Sequence, residues 1–213
     1  EADAVRSRSV AQGLSLPGRI DNAALKLTLA GGELNVPVEA VVEGVPLKGQ
    51  LQADASADTP ALRIDFRAQN AEVGGLAHML TGLPGIEGRL GRLQMSIAAR
   101  GKQGRELMRS LAIDTELADS RLSYGSGGSS SDKTAKRVGF TIDNLKMRVA
   151  GDKPMTGALK GTLLGKPLQA RLEGESLISA LDKGSSPVTL TLQSGNVAGR
   201  FAGVIDGVRQ SAD

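Results

Sequence analysis

Apolar side chains return at every second position along most of this chain, and that single regularity excludes most folds before any motif is considered. A period of two places successive side chains on opposite faces of an extended strand. Leu25, Leu27 and Leu29 alternate with Lys26 and Thr28, Leu34, Val36 and Val38 with Asn35 and Pro37, and Leu47 and Leu51 with Lys48, Gln50 and Gln52. Leu62, Ile64 and Phe66 stand against Arg63, Asp65 and Arg67, and Leu93, Met95 and Ile97 against Arg92, Gln94 and Ser96. The pattern resumes in Leu111, Ile113 and Leu117, in Val138, Phe140 and Ile142, and in Leu145, Met147 and Val149. Leu168 with Leu172, and Val188, Leu190 and Leu192, complete it. About a dozen strands with one apolar face predict an antiparallel sheet covered on one side, since parallel strands are apolar on both.

Only short stretches depart from this period. Residues 73–80, with Leu76, Met79 and Leu80, and residues 103–111, with Leu107, Met108 and Leu111, space their apolar positions by three and four. That spacing predicts two short amphipathic helices, with a weaker third over residues 176–181. The 28 glycines among 213 residues punctuate the chain often, which keeps the elements short. Residues 125–136 are rich in Gly and Ser and poor in apolar side chains, as expected of a flexible loop. No Gly-Lys-Ser/Thr follows it, so it is not a phosphate-cradling loop. The expected organisation is a first β unit with two helices over residues 1–124, this loop over 125–136, and a second β unit over 137–213.

The sequence also repeats itself. Ile20-Asp21-Asn22 recurs as Ile142-Asp143-Asn144, and the run 38–53 matches 159–174 with its Gly-x-Pro-Leu hairpin in register. Leu62, Ile64, Phe66 and Asn70 then align with Val188, Leu190, Leu192 and Asn196. Matches in one order at nearly one offset point to a duplicated strand meander, and repeated one-faced units stack or extend side by side. The predicted fold is mainly β, an elongated and curved antiparallel sheet with two or three short helices, forming a groove.

Composition removes most chemistry. There is no Cys and a single histidine, His78, so disulfides, thiolate nucleophiles and His-paired metal sites are excluded. His78 falls in the apolar part of the first predicted helix and has no obvious partner. Asp21-Asn22 and Asp143-Asn144 suit Asx hydrogen bonding at strand turns. Ser126 to Ser131 lack a base, and the acidic residues are scattered over polar faces, so no carboxylate pair is nominated. The expectation is a protein with no catalytic residues, no metal and no cofactor. A net charge of +3 with three Phe, one Tyr and no Trp is no platform for stacking nucleic acid. Arg105 and Arg109, four apart on the second helix, are the candidates for lipid headgroups. No stretch approaches the 18 or more apolar residues of a spanning helix.

The pieces 159–168, reading L-K-G-T-L-L-G-K-P-L, its copy around Gly44-Val45-Pro46-Leu47, the run 101–111, G-K-Q-G-R-E-L-M-R-S-L, and the run 70–88 together resemble the AsmA family of bacterial envelope proteins, over roughly residues 18–203. The resemblance implies a periplasmic protein held at the inner membrane by an N-terminal anchor outside this sequence. It implies a sheet with an apolar groove for phospholipid acyl chains, contact with outer-membrane components, and a role in lipid movement and envelope integrity. The alternative it leaves open is a scaffold that assists outer-membrane protein assembly.

The alternation and the resemblance together nominate a groove lining: Leu25, Leu27, Leu29, Leu47 and Leu51 from the first strands, and Ile64, Phe66, Leu93, Met95, Ile97 and Ile113 from the middle. Phe140, Met147, Leu168, Leu172, Leu190 and Leu192 supply the rest. The same pattern also fits a sheet whose apolar face is closed by its own helices. Several hundred Å² of wet apolar face would cost on the order of 10 kcal/mol at about 25 cal/mol per Å², so lipid, helices or a partner must cover it.

Overall fold

The computed structural model describes residues 20–25, 28–30, 32–42, 44–73, 86–125 and 137–206. Residues 74–80 of the first predicted helix, with His78, lie outside them, as do Leu27, Ser126 to Ser131 and the rest of the Gly/Ser-rich run after Gly125.

Over the described residues the chain is mainly β, an open antiparallel sheet with two short helices. Its strands are β1 (Ile20–Leu25), β2 (Thr28–Ala30), β3 (Glu33–Val42), β4 (Val45–Asp54), β5 (Ala61–Glu72), β6 (Ile86–Arg100), β7 (Ala112–Gly125) and β8 (Arg137–Ala150). There follow β9 (Met155–Leu163), β10 (Lys166–Gly174), β11 (Ser185–Ser194) and β12 (Val197–Asp206). Helix α1 (Gly104–Ser110) joins β6 to β7, and α2 (Leu177–Lys183) joins β10 to β11. From β3 to β11 every strand pairs with the strand before it and the strand after it, and β12 pairs with β11. β1 and β2 both pair with β3, meeting it at Val38 to Val42 and at Glu33 to Asn35 respectively. Between these stretches stands Pro37, which has no N–H to give to a ladder.

Alternation explains the strands, and turn chemistry explains where they reverse. Leu164 and Gly165, between β9 and β10, both take left-handed backbone, φ 51° and 74°, as a two-residue hairpin matched to strand twist requires. Gly suits this position and Leu does not, and Leu164 is also 69% exposed. α2 is capped at both ends: Ser176 Oγ accepts from the Ser179 N–H at 3.2 Å, and Gly184 ends the helix at φ 70°. Lys183 donates to both carboxylate oxygens of Glu175, at 2.7 and 2.9 Å. Gly151 ties the helices together, donating to Leu111 O and accepting from Ile178 N. Leu111, counted both at the end of the predicted helix and at the start of the strand after it, closes α1.

The apolar period slips by one residue along a line across β5 to β8. β5 buries Ala68 and then Ala71 and Val73, and β6 buries Leu90 ahead of half-buried Leu93. β7 passes from Leu117 to Ser120 and Leu122, and β8 from Ile142 to Leu145. A gap of three would send side chains to the opposite face unless the backbone absorbed a residue. It does: Asn70 and Asp119 adopt φ 51° and 54°, and the β8–β9 register shifts between Ile142 and Asn144. Asn and Asp tolerate left-handed backbone better than other side chains with a Cβ. Asp143 therefore sits in a bulge inside β8, not at a strand turn, and the equivalent shift in β1 falls between Ile20 and Asn22.

The tightest packing gathers at this crease. Val45, Ala68, Ala71, Val73 and Leu90 form the buried cluster, with Val42, Leu47, Leu93, Leu117 and Leu122 packed against it. Ser120, 1% exposed, is satisfied there: its hydroxyl accepts from the Gly91 N–H at 3.1 Å and donates to Ala118 O at 3.1 Å.

Three substitutions test this account by urea unfolding. A Cβ on Gly91 would stand 2.3 Å from Asp119 O and 2.7 Å from Ala118 O, so Gly91→Ala should cost about 1–3 kcal/mol. Gly139→Ala, with nothing within 4 Å of its Cβ, should change stability far less. Leu164→Asn should raise stability by about 1 kcal/mol by relieving left-handed strain.

Candidate functional site: the apolar face

Register, not chemistry, assembles the candidate site. Directly paired residues share a face, so the ladder can be followed strand by strand. One row runs Leu25, Val38, Gly49, Phe66, Met95, Thr115 and onward through Met147, Gly157, Leu172, Leu190 and Phe201. Only the hydroxyl of Thr115 interrupts its apolar character. A second row joins Val36, Leu51, Ile64, Ile97, Ile113 and Val149. A third carries Ala68, Leu93, Leu117, Leu145, Leu159, Ala170 and Leu192.

The nominated lining therefore falls on one face, with two exceptions of scope. Leu47 opposes Ala40 in the same series, Phe140 opposes Leu122 and Leu163 beyond the crease, and Leu168 opposes Gly161 and Ser194. Leu29 pairs with Leu34. The exceptions are Leu27, outside the described residues, and the side chains of β1 and β2, of which only the backbone pairing is described. Most lining side chains beyond the crease cluster are half-buried, neither solvated nor enclosed.

Glycine and large residues interlock on this face. Gly49 lies beneath Phe66, whose Cδ1 would be 2.7 Å from a Cβ there. An aromatic ring laid over a neighbouring strand's glycine fills the gap and pins the register. α1 packs on β6 and α2 on β11, at the end of the sheet marked by Gly101, Gly151 and Gly174.

The opposite face is charged and self-compensating. Arg63 grips Asp65 through two bonds, Nε to Oδ2 at 2.8 Å and a terminal nitrogen to Oδ1 at 3.0 Å. Across strands Arg148 meets Asp114 at 3.6 Å, Lys146 meets Glu116 at 3.9 Å, and Lys48 meets Glu39 at 3.2 Å. Asn144 adds a bond to Glu116 at 3.1 Å. A depression of about 520 Å³ lies here, bordered by Arg63, Asp65, Gln94, Asp114, Lys146 and Arg148. Its charges satisfy one another. The Arg63 hydrogen bond holds the Asp65 carboxyl below the usual carboxylate range, and the same bond raises the guanidinium. Ser56 does the same for Asp54, and Lys183, then Ser179, for Glu175.

Among the described residues no three His, Asp or Glu side chains gather as a metal site, and no helix is long and apolar enough to cross a membrane. Arg105 and Arg109 are exposed on α1. Comparison with family models, curated proteins and solved structures finds no match to this chain.

Because the Asp65 carboxyl is held low in the folded state, its contribution to stability is present above the ordinary carboxylate range. It is lost as pH falls through the lowered value. Asp65→Asn should thus be less stable than the parent near neutrality, by under about 1 kcal/mol for so exposed a pair. The difference should vanish in acid, as read by urea midpoints across pH.

Proposed function

We propose that this chain is a non-enzymatic, lipid-binding segment of an AsmA-like periplasmic protein, its apolar face holding phospholipid acyl chains on their way between membranes. The observation that carries the reading is the row of paired positions from Leu25 to Phe201, free of polar side chains except at Thr115. Eleven paired positions at about 4.8 Å per strand extend on the order of 50 Å, longer than an extended acyl chain. A flexible hydrocarbon tail needs a long apolar track without polar groups to desolvate. The aliphatic and thioether side chains of this row supply one that fixes no single rigid ligand.

The crease supports a curved groove. Bulged strands bend, and Val45, Ala71, Val73 and Leu90, which bury one another beside the bulges, mark the face toward which such a bend would close. The duplicated meander is supported by the matching register shifts at Ile20/Asn22 and Ile142/Asn144. Each lies on a strand that leads into a two-strand hairpin, β3 to β4 in one case and β9 to β10 in the other. On this reading the charged face looks outward to the aqueous periplasm, and the inner membrane and outer-membrane components are the partners.

Organic extraction and mass spectrometry of the purified chain test the proposal. Stoichiometric phospholipid should be recovered from the parent. Met147→Asp with Leu190→Asp should remove it while circular dichroism stays β-rich. Thr191→Asp, one residue along and on the charged face, should leave it bound. A folded parent that carries no lipid, and takes none from phosphatidylethanolamine vesicles, would refute the reading.

A further inference from the structure

Thr115, on β7, carries the only polar side chain of the long row, and its surroundings on that face are hydrocarbon. Met95 stands opposite it on β6 and Met147 on β8. Ile113 and Leu117 share its face two residues away along β7. A β-branched residue suits a central strand, but valine or isoleucine would serve as well, as Ile97 and Ile113 do in the neighbouring row. The hydroxyl therefore calls for a reason of its own.

Among the described residues that hydroxyl has no hydrogen-bond partner. Other hydroxyls within the sheet are bonded: Ser120 to the Gly91 N–H and Ala118 O, and Thr141 to Thr162 at 2.9 Å. Thr115 is half-buried, open enough for water to reach its oxygen. A plain hydrocarbon tail laid along the row would displace that water and offer nothing in exchange. A hydroxyl desolvated without a partner weakens binding. A tail with a hydroxyl of its own at that point can both accept from Thr115 and donate to it.

We propose that Thr115 is a specificity-determining residue, selecting acyl chains that carry a hydroxyl along their length over plain ones. The inference rests on the proposal that the apolar face holds acyl chains, and it names which kind. Five paired positions without a polar side chain lie on either side of Thr115. At about 4.8 Å per strand they extend on the order of 24 Å each way. Hydrocarbon thus has room in both directions from the bonded group, as a hydroxyl inside a chain requires. A polar group at the end of a chain would use the track on one side only.

Oleate and ricinoleate differ by one hydroxyl inside the chain, and displacement of a fluorescent fatty acid from the purified protein compares them. The parent should bind ricinoleate about tenfold more tightly than oleate. Thr115→Val keeps the side-chain shape and drops the hydroxyl. It should bind oleate several-fold more tightly than the parent does and lose the preference. Thr115→Ser, which restores a hydroxyl, should regain it, with β-rich circular dichroism in all three. A parent that binds both acids equally, or a preference that survives in Thr115→Val, overturns this inference and leaves the lipid-holding proposal standing. A parent that binds neither acid refutes both.

Discussion

The structure depends on a one-residue slip. Period-two alternation keeps a strand's apolar side chains on one face only while the count stays even, and four adjacent strands here break that count. Leu90 and Leu93, Leu117 and Ser120, and Ile142 and Leu145 are each separated by three. Left-handed Asn70 and Asp119 and the bulge at Asp143 absorb the extra residue, so Phe140, Ile142, Leu122 and Leu90 stay with the apolar series. Without that compensation half of the long central strands would turn their hydrocarbon to the charged side. The buried cluster around Val45 lies where the slip occurs, and the hydroxyl of Ser120 supplies the partner that the Gly91 amide would otherwise lack there.

The two faces divide the work of stability. The charged face consists of exposed or half-exposed ion pairs such as Lys48 with Glu39 and Arg148 with Asp114, each worth little alone because water competes for both partners. Their effect is solubility and register, since a slipped strand would bring like charges together. The apolar face provides the larger driving force. It remains half-buried over much of its described length, with α1 packed chiefly on β6 and α2 on β11.

Much of this was legible in the sequence, and the failures have specific causes. Apart from the run Leu25 to Leu29, whose middle lies outside the described residues, each run of alternation falls on a strand, because one-sided burial writes its period directly into the residue order. The split of β8 into two strands, at Ile142 and Leu145, arose because a bulge resets the period and so looks like a turn. Asp143 was misplaced for the same reason. Leu111 fitted both the helix spacing with Leu107 and Met108 and the strand period with Ile113, and the structure assigns it to the end of α1. β12 went unnamed since Ala198, Gly199, Ala202 and Gly203 dilute its pattern, and an edge strand needs less apolar surface than an interior one. Pairing order left no sign in the residues, so the charged depression between Arg63 and Arg148, built from three strand pairings, could not be foreseen.

Strictly sequential strand order has a consequence for how such a molecule comes apart and forms. Each strand from β3 to β11 relies on neighbours in space that are also its neighbours in the chain, so each such contact closes only a short loop and little chain entropy is lost at each step. Order can start at any hairpin and spread outward one strand at a time, much as in a linear repeat array. Disorder follows the reverse route. Outer strands fray first while the long β6, β7 and β8 hold, and damage to a terminal strand shortens the sheet without dissolving its centre.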